Sequence, residues 1–485
     1  MPNSRSRSIV QGSARALVGL VGVAVALVVL LGATLIPVPG FRVTPPSSNV
    51  EPVPADQVRV CPGPLLDLAD ATDASSLSIF GSPMTVMDAT SGIHQRHLSS
   101  QAHGPGPRVI STQGSTSGQR SLIAGAQWQT ASQSDIAGLA AAACGEAGSD
   151  SWLVAGSTML GATSLVLLSN PTAVEATVDL TVYSEAGKAD APGARGLIVR
   201  ADSQLVVPLA GIVPNVQASV VHVQATGGSV YASLQESEVQ GLSPQGVELV
   251  GPTAAPARTQ VIAGMTVANS ARLSAPGDDP SAVLPSVRLL APGTAPVHVT
   301  VTASPDTATG TPATQNLTLQ GGTVREAVFS RLRDGAYTVR VTADAPVVAA
   351  AHTVDPAAAP AKGESATARA EAASQDFAWF EASAPLQSTA MLSIPGGGSP
   401  VLHLVNPGAT AATVTLTPLP GGDPQQATVP SDGQVSVSVR SQASYSLSGV
   451  QGLLASVSLT SDAASSSFSL NPPGPLAQPI TVYPR

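Results

Sequence analysis

The sequence predicts an all-β chain built from tandem β-sandwiches. Three observations carry this: apolar residues that alternate strictly with polar ones, a strand-turn-strand pattern that occurs three times, and cores drawn from Val, Leu and Ala, with only 3% aromatic residues. Period-two alternation marks a strand with one buried face, and one sheet cannot bury that face alone.

The copies begin LVLLSNPTAVEATVDLTVYSEAG from Leu165, VRLLAPGTAPVHVTVTA from Val287 and LHLVNPGATAATVTLTPLPGG from Leu402. Each has an apolar strand, a turn at Asn170-Pro171, Ala291-Pro292 or Asn406-Pro407, and a second, alternating strand. Ala176, Val178, Leu180 and Val182 face one way there, as do Val297, Val299 and Val301, and Ala412, Val414 and Leu416. Further strand pairs follow at 196–209 and 427–439, and closing pairs at 219–237, 336–353 and 444–461. Six or seven short strands in roughly 80–100 residues is the spacing of immunoglobulin-like sandwiches. Unequal copy lengths point to a tandem of domains, not a tight solenoid.

Ahead of the repeats, residues 1–15 form a basic tail with Arg5, Arg7 and Arg15. Residues 16–38 are uncharged and apolar, long enough as a helix to span about 30 Å of hydrocarbon. They read as a single transmembrane signal anchor, with a cleaved signal peptide as the competing reading. The basic flank then stays in the cytoplasm and the bulk of the chain is extracytoplasmic. Residues 39–66 form a Pro-rich linker that favours extended chain. The expected organisation continues with cysteine-bracketed strands plus a first sandwich over 67–250 and a second sandwich over 260–354. An Ala-rich linker at 355–375, a third sandwich at 376–465 and a C-terminal tail at 466–485 complete it.

Composition narrows the function classes. Charged residues are 11% of the 485, against roughly 25% in an ordinary soluble domain, and the net charge is −9. A nucleic-acid partner is not expected, because neutralising phosphates takes clustered Lys and Arg. Two cysteines cannot make a four-Cys zinc site or a cysteine-ligated iron–sulfur cluster. Both lie in the exported part, where a Cys61–Cys144 bridge is the default and two free thiols the alternative.

Candidate chemistry is sparse. His94 and His97 stand as H-x-x-H, with His103 six residues on, but no acid cluster accompanies them. His222 and His298 fall on the polar phase of strands and should face solvent, whereas His352 and His403 sit in strand-like runs that suggest structural roles. GSTSG at 114–118 is centred on Thr116, so it lacks the serine of a nucleophile elbow. Asp278-Asp279 reads as a turn, with calcium on a loop as the sharper alternative, and Asn316-Leu-Thr318 is a formal glycosylation triplet. Trp128, Trp152 and Trp379 are the candidates for stacking on a glycan; the bland alternative is three core plugs. Asp150-Ser-Trp152 opens the first copy, and Asp376-Phe-Ala-Trp379 is expected to open the third. No catalytic residue, metal ligand or cofactor is assigned.

The basic amino terminus, the single apolar span, CPGP at 61–64, the later Cys144 and Trp152 ahead of the LSNPTAVEATVDLTVY stretch together resemble a domain-of-unknown-function family. Its members are exported or membrane-anchored envelope proteins of actinobacteria. The resemblance implies an envelope location and carries over no functional residue. The expected function is therefore a non-enzymatic, membrane-anchored extracytoplasmic protein that contacts an envelope protein or a wall polymer. A carbohydrate-binding array and, behind it, a wall-active hydrolase are the alternatives.

Overall fold

The computed structural model describes residues 56–68, 77–114, 121–132, 136–273, 280–307, 310–356, 375–387, 389–461 and 464–470, with short pieces at 48–50 and 480–482 and six positions between Val21 and Val28. The chain divides into two units, 1–51 with 479–485, and 52–478. In the first, Ser48–Val50 pairs antiparallel with Ile480–Val482. Most of the 16–38 anchor, and with it the membrane expectation, lies outside the described residues; Val21, Val23, Ala24, Val25, Leu27 and Val28 are helical. Among the described residues no helix is long and apolar enough to cross a membrane. Of the expected Pro-rich linker at 39–66, residues 39–47 and 51–55 lie outside them, whereas Gln57–Val60 is a strand and Leu65–Leu68 begins inside it, so the folded part starts earlier than the prolines suggest. Residues 357–374 of the expected Ala-rich linker at 355–375, GSTSG from Ser115 onward, and Asp278-Asp279 also lie outside them.

The larger unit is all-β, as expected. Three eight-stranded bodies share one topology. In the first the strands run Asp150–Leu153, Ala162–Asn170, Ala176–Ser184, Leu197–Val199, Ser203–Pro208, Val220–Thr226, Tyr231–Gln240 and Ser243–Val250. In the second they are Ala257–Val267, Ser286–Leu290, Val297–Pro305, Ala313–Leu319, Val324–Val328, the long Gly335–Asp355 serving as sixth and seventh, and Asp376–Glu381. In the third they are Thr389–Ile394, Ser399–Asn406, Ala412–Leu419, Gln425–Val429, Gly433–Ser438, Ala443–Ser448, Leu454–Ser461 and Ala464–Ser469. Numbered within each body, one sheet has the order 1-6-3-4 and the other 5-2-7-8, all antiparallel. The first two strands of each body lie in different sheets. That departs from the expected immunoglobulin-like arrangement, in which they are neighbours.

The alternation does what the sequence requires of it. Val178, Leu180 and Val182 meet Val166, Leu168 and Leu234 across the first core, and Val299 and Val301 meet Val287 and Leu289 in the second. Val414 and Leu416 meet Leu402 and Leu404 in the third. Each fully buried Val or Leu contributes about 1.5–3 kcal/mol before the entropy of ordering is subtracted. The Asn-Pro turns share one clip. Asn170 Nδ2 donates to the carbonyls of Val174 (2.7 Å) and Val199 (3.0 Å), and Asn406 Nδ2 to those of Thr410 (2.8 Å) and Val429 (3.3 Å).

The third body begins later than the sequence suggests. Asp376–Glu381 hydrogen-bonds to the end of Gly335–Asp355, so it closes the second body and does not open the third. Residues 357–374 therefore fall between two strands of one body. At the far end Ala464–Ser469 is the last strand of the third body, where a tail was expected.

Before the first body, the segment 57–143 makes three small sheets. Gln57–Val60 and Ile93–His97 flank Arg108–Thr112, Leu65–Leu68 pairs with Leu77–Phe80, and Ile123–Ser132 lies between Met84–Ala89 and Ala137–Ala143. Cys61 and Cys144 are bonded, tying the start of this segment to its end. The strand AGLAAAA is buried on both faces. Leu139 and Ala141 join the third core, whereas Ala140 and Ala142 pack with Leu165, Leu167 and Leu249 of the first body. Alanine is small enough for a strand to slide between two bodies, which explains a run that does not alternate.

Four sheet edges meet beside that strand. Ala137–Ala143, Ser243–Val250, Asp376–Glu381 and Ala464–Ser469 are each the last strand of their sheet, so one side of each backbone has no neighbouring strand in its ladder and takes side-chain partners instead. Asp376 joins all four. Its Oδ2 accepts from the N–H of Leu139 (2.9 Å) and Ser465 (3.1 Å), and its Oδ1 from those of Phe377 (3.0 Å) and Val247 (3.3 Å). Gly138 and Gly246 make room for it. Both have positive φ, and a Cβ on either would come within 2.4 and 2.7 Å of Asp376 Oδ1. Nearby, Glu248 Oε1 accepts from Ser466 Oγ (2.7 Å), and Glu381 accepts from the N–H of Gly251 (2.8 Å) and Ser469 (3.1 Å). Burial pushes the carboxyls of Asp376 and Glu248 well above the usual range, against the pull of these donors. It pushes Glu381 up to about 7.

Candidate functional site

The site follows from the alternation of the second body. The second sheet of this body has two faces. Its inner face fills the body's own core, and its outer face lies on the first body. Leu290, Val324, Val348, Ala350, Val354 and Phe377 from that outer face join the first body's apolar cluster. The same phase places Arg288, Glu326, His352 and Trp379 among them. Arg288 stands directly opposite Glu326 across the strands, and His352 opposite Trp379. The first body contributes Glu236 from Tyr231–Gln240.

These five side chains line a cavity of about 420 Å³ between the two bodies. Arg288 is the hub. Its Nε donates to Glu326 Oε1 at 2.8 Å, and its Nη1 donates to the carbonyls of Gly156 (2.8 Å) and Ser219 (3.2 Å) in the first body. Its guanidinium carbon lies 4.5 Å from the centre of the Trp379 ring. The Trp379 Nε1–H donates to Glu236 Oε2 at 2.7 Å, and that oxygen also takes the Gly156 N–H at 3.0 Å. The His352 ring sits 4.7 Å from Trp379, tilted by 41°.

The two carboxylates differ. Burial alone would raise Glu326, but the Arg288 charge and the hydrogen bonds from Ser281 and Arg288 bring it below its ordinary range. Glu236 goes the other way. Burial raises it, and the Arg288 charge, the bonds from Trp379 and Gly156 do not offset that, with the Glu326 charge pushing further upward. Two buried carboxylates thus share one buried guanidinium. Such a cluster is weak evidence for stability, because well-packed apolar residues commonly do as well or better, and buried charged groups in a cleft make it a candidate functional site. One rim residue, Leu160, is fully exposed.

The sequence candidates are distributed differently. Trp128 and Trp152 are core residues, 3% and 5% exposed, with no ring face open for a stacked sugar. Trp128 packs into the third core. Trp152 stacks on His222, 3.9 Å between ring centres, which covers a histidine expected to face solvent; His222 Nε2 also meets Asp150 Oδ2 at 2.8 Å. Trp379 reaches the cavity, but at 2% exposure its ring is occupied by Arg288 and His352. His403 is structural, held by Ser436 Oγ (2.9 Å), Ser458 Oγ (2.8 Å) and Asp306 Oδ2 (3.3 Å). His97 Nδ1 meets the Gly106 carbonyl at 2.8 Å, and Asn316 lies on an exposed strand position where its Oδ1 accepts from Thr300 Oγ1. Among the described residues no three His, Cys, Asp or Glu side chains are grouped to hold a metal ion.

Glu236, Arg288 and Glu326 were not singled out by the sequence. The available signal was an arginine inside the apolar strand SVRLL and a glutamate inside YASLQES, charged residues in strands with no solvated face.

A family of unknown function (DUF5719) matches residues 98–448, and the chain belongs to that family. No curated protein and no solved structure matches the chain.

Proposed function

We propose that this member of DUF5719 is a non-enzymatic, membrane-anchored extracytoplasmic protein of the cell envelope. On this reading it holds an envelope protein or a wall polymer at the cavity between its first and second bodies. The observation that carries the reading is the Glu236–Arg288–Glu326 cluster at the floor of that cavity. Three ionisable side chains are buried where apolar packing would serve the interface, and one arginine answers two carboxylates.

Two features support the location. The Cys61–Cys144 disulfide suits an oxidising compartment outside the cytoplasm. Residues 16–38 have the length and the Arg5, Arg7 and Arg15 flank of a signal anchor. The packed edges around Asp376 suit a rigid carrier, because they tie all three bodies and the preceding segment into one framework.

The test is a crosslinking pull-down of the full-length protein from its native membrane, followed by mass spectrometry. An envelope protein or wall glycan recovered with the wild type, and lost with Arg288→Met, supports the reading. Recovery that is unchanged by Arg288→Met in a folded protein removes the cavity from it.

A further inference from the structure

We infer that Glu248 is a proton-operated latch on the junction of the four strand edges. With its proton it closes a hydrogen-bond chain through Ser466 to Ala141, and without it the last strand of the third body, Ala464–Ser469, parts from Ala137–Ala143. The latch is independent of what the cavity between the first and second bodies holds.

One hydroxyl decides the protonation state. Ala141 lies on an edge strand and turns both backbone groups toward Ser466. Its N–H donates to Ser466 Oγ at 2.9 Å, and its carbonyl lies 3.3 Å from the same oxygen. Ser466 Oγ is also 2.7 Å from Glu248 Oε1. A serine hydroxyl has one proton and two lone pairs, and an ionised carboxylate can only accept. With Glu248 ionised, the single Ser466 proton serves either the carboxylate or the Ala141 carbonyl, and the other goes without. With a proton on Oε1, Glu248 donates to Ser466 Oγ. The hydroxyl then accepts from Glu248 and from the Ala141 N–H, and its own proton goes to the Ala141 carbonyl. The Leu249 N–H still reaches Oε1 at 2.9 Å. The other oxygen points the same way. Oε2 is buried, and among the described residues it has no hydrogen-bond partner. That position is costly for half of a carboxylate charge and much less so for the C=O of a neutral acid.

The surroundings favour the neutral form. Among the described residues, the strands packed against Ser243–Val250 bring acids and a tyrosine but no cation. Tyr231–Gln240 carries Tyr231, Glu236 and Glu238, with Glu236 directly opposite Glu248 in the ladder. Asp376–Glu381 carries Asp376 and Glu381, and Ala137–Ala143 and Ala464–Ser469 carry no titratable group. Burial holds the Glu248 carboxyl well above its ordinary range, and Asp376 and Glu381 add to this, against the pull of the Ser466 and Leu249 donors. A carboxyl kept neutral in the folded chain contributes stability below its unfolded value, and that contribution is lost as pH rises through the folded one.

The strand that responds is the one the acids hold. Ser465 N–H donates to Asp376 Oδ2 at 3.1 Å, Ser466 Oγ meets Glu248, and Ser469 N–H donates to Glu381 Oε2 at 3.1 Å. Ser467 Oγ donates to the Trp379 carbonyl between them. Ionised, Glu248 takes the Ser466 proton, leaves the Ala141 carbonyl without a donor on a buried edge, and places a charge beside two further carboxyls. Parting Ala464–Ser469 from Ala137–Ala143 admits water to all of them.

The test is amide hydrogen exchange of the full-length chain in detergent, corrected for the intrinsic effect of pH on exchange. It runs from about pH 5 to about pH 9, where an ordinary glutamate is ionised throughout. Protection of the Ala141 amide should fall at least about tenfold across that span, while the Val178 amide in the first core keeps its protection. Glu248→Gln cannot ionise, so Ala141 protection should then stay constant to within about twofold, whereas Glu381→Gln should retain the wild-type fall. A flat wild-type profile overturns the inference. So does an equal fall at Ala141 and Val178, which is global unfolding, or a fall that persists in Glu248→Gln. If Glu248→Gln fails to fold, Ser466→Ala takes its place. It cuts the chain between Glu248 and Ala141, so the Ala141 amide should be weakly protected at every pH, and a wild-type profile in this variant overturns the inference.

Discussion

Replacing Asp376 by Asn tests the junction of the four sheet edges. The carboxylate accepts four backbone N–H groups, two on each oxygen, from strands as far apart in sequence as Leu139 and Ser465. Asn is nearly the same size, so no cavity is created. Its amide nitrogen, however, must replace one oxygen, and either orientation turns an NH₂ toward two N–H donors. Two buried N–H groups are then unsatisfied, at about 1–3 kcal/mol each, for a loss of roughly 2–6 kcal/mol. The assay is hydrogen exchange of the Leu139, Val247 and Ser465 amides in the full chain, with urea unfolding followed by tryptophan fluorescence as the global measure. A loss of 2 kcal/mol corresponds to roughly thirtyfold faster exchange where opening limits protection. Exchange at those amides and a urea midpoint both unchanged in Asp376→Asn would refute the account of the junction.

Four further outcomes follow. Gly138→Ala should destabilise the same junction and shift exchange at Leu139, because its Cβ would lie 2.4 Å from Asp376 Oδ1 at a positive φ; an unchanged melting temperature would contradict this. Glu381 is raised to about 7, and Asp376, Glu248 and Glu236 are raised by burial, so the folded state binds protons more tightly than the unfolded one. Stability from these groups is fully present below their unfolded values and is lost as pH rises through the folded ones. For Glu381 alone the loss between about pH 4.5 and 7 is at most about 3 kcal/mol, and urea midpoints that rise across that window would contradict it. Reducing the Cys61–Cys144 bond should lower stability by at most about 4–5 kcal/mol on the chain-entropy account, read as a reductant-dependent midpoint. Asn170→Ala and Asn406→Ala should each cost about 1–3 kcal/mol in thermal unfolding, since each uncovers carbonyls clipped by the side-chain amide.

Local signals made the strands legible. Val178, Leu180 and Val182 alternate with Thr177, Asp179 and Thr181, and the structure buries the first set while the second stays open or half-buried. The Asn-Pro turns and the bridged cysteines were equally plain. Where one body ends was not, because Asp376–Glu381 follows an Ala-rich interval and begins much like Asp150–Leu153, yet pairs backward in the chain. The junction and the cavity were hidden for a different reason. Ala141 N–H donates to Ser466 Oγ across 325 residues, and Glu236 meets Trp379 across 143. No periodicity reports such pairs. What the sequence does show is the failure of alternation: AGLAAAA, DFAWFE and ASSSFS are almost wholly buried, polar residues included. A charged or hydroxyl side chain in a strand with no solvated face was the available clue to an edge or an interface.

The most direct measurement of the central claim, that the inter-body cavity receives an envelope component, is site-specific photo-crosslinking in the native membrane. A photoreactive residue replaces Leu160, which is fully exposed on the cavity rim, and a second protein carries it at Ile198, which is exposed but does not line the cavity. The account predicts a discrete adduct from position 160, absent from position 198 and lost when Glu236→Gln is added. Equal labelling at both positions, or a position-160 adduct indifferent to Glu236→Gln, would contradict it.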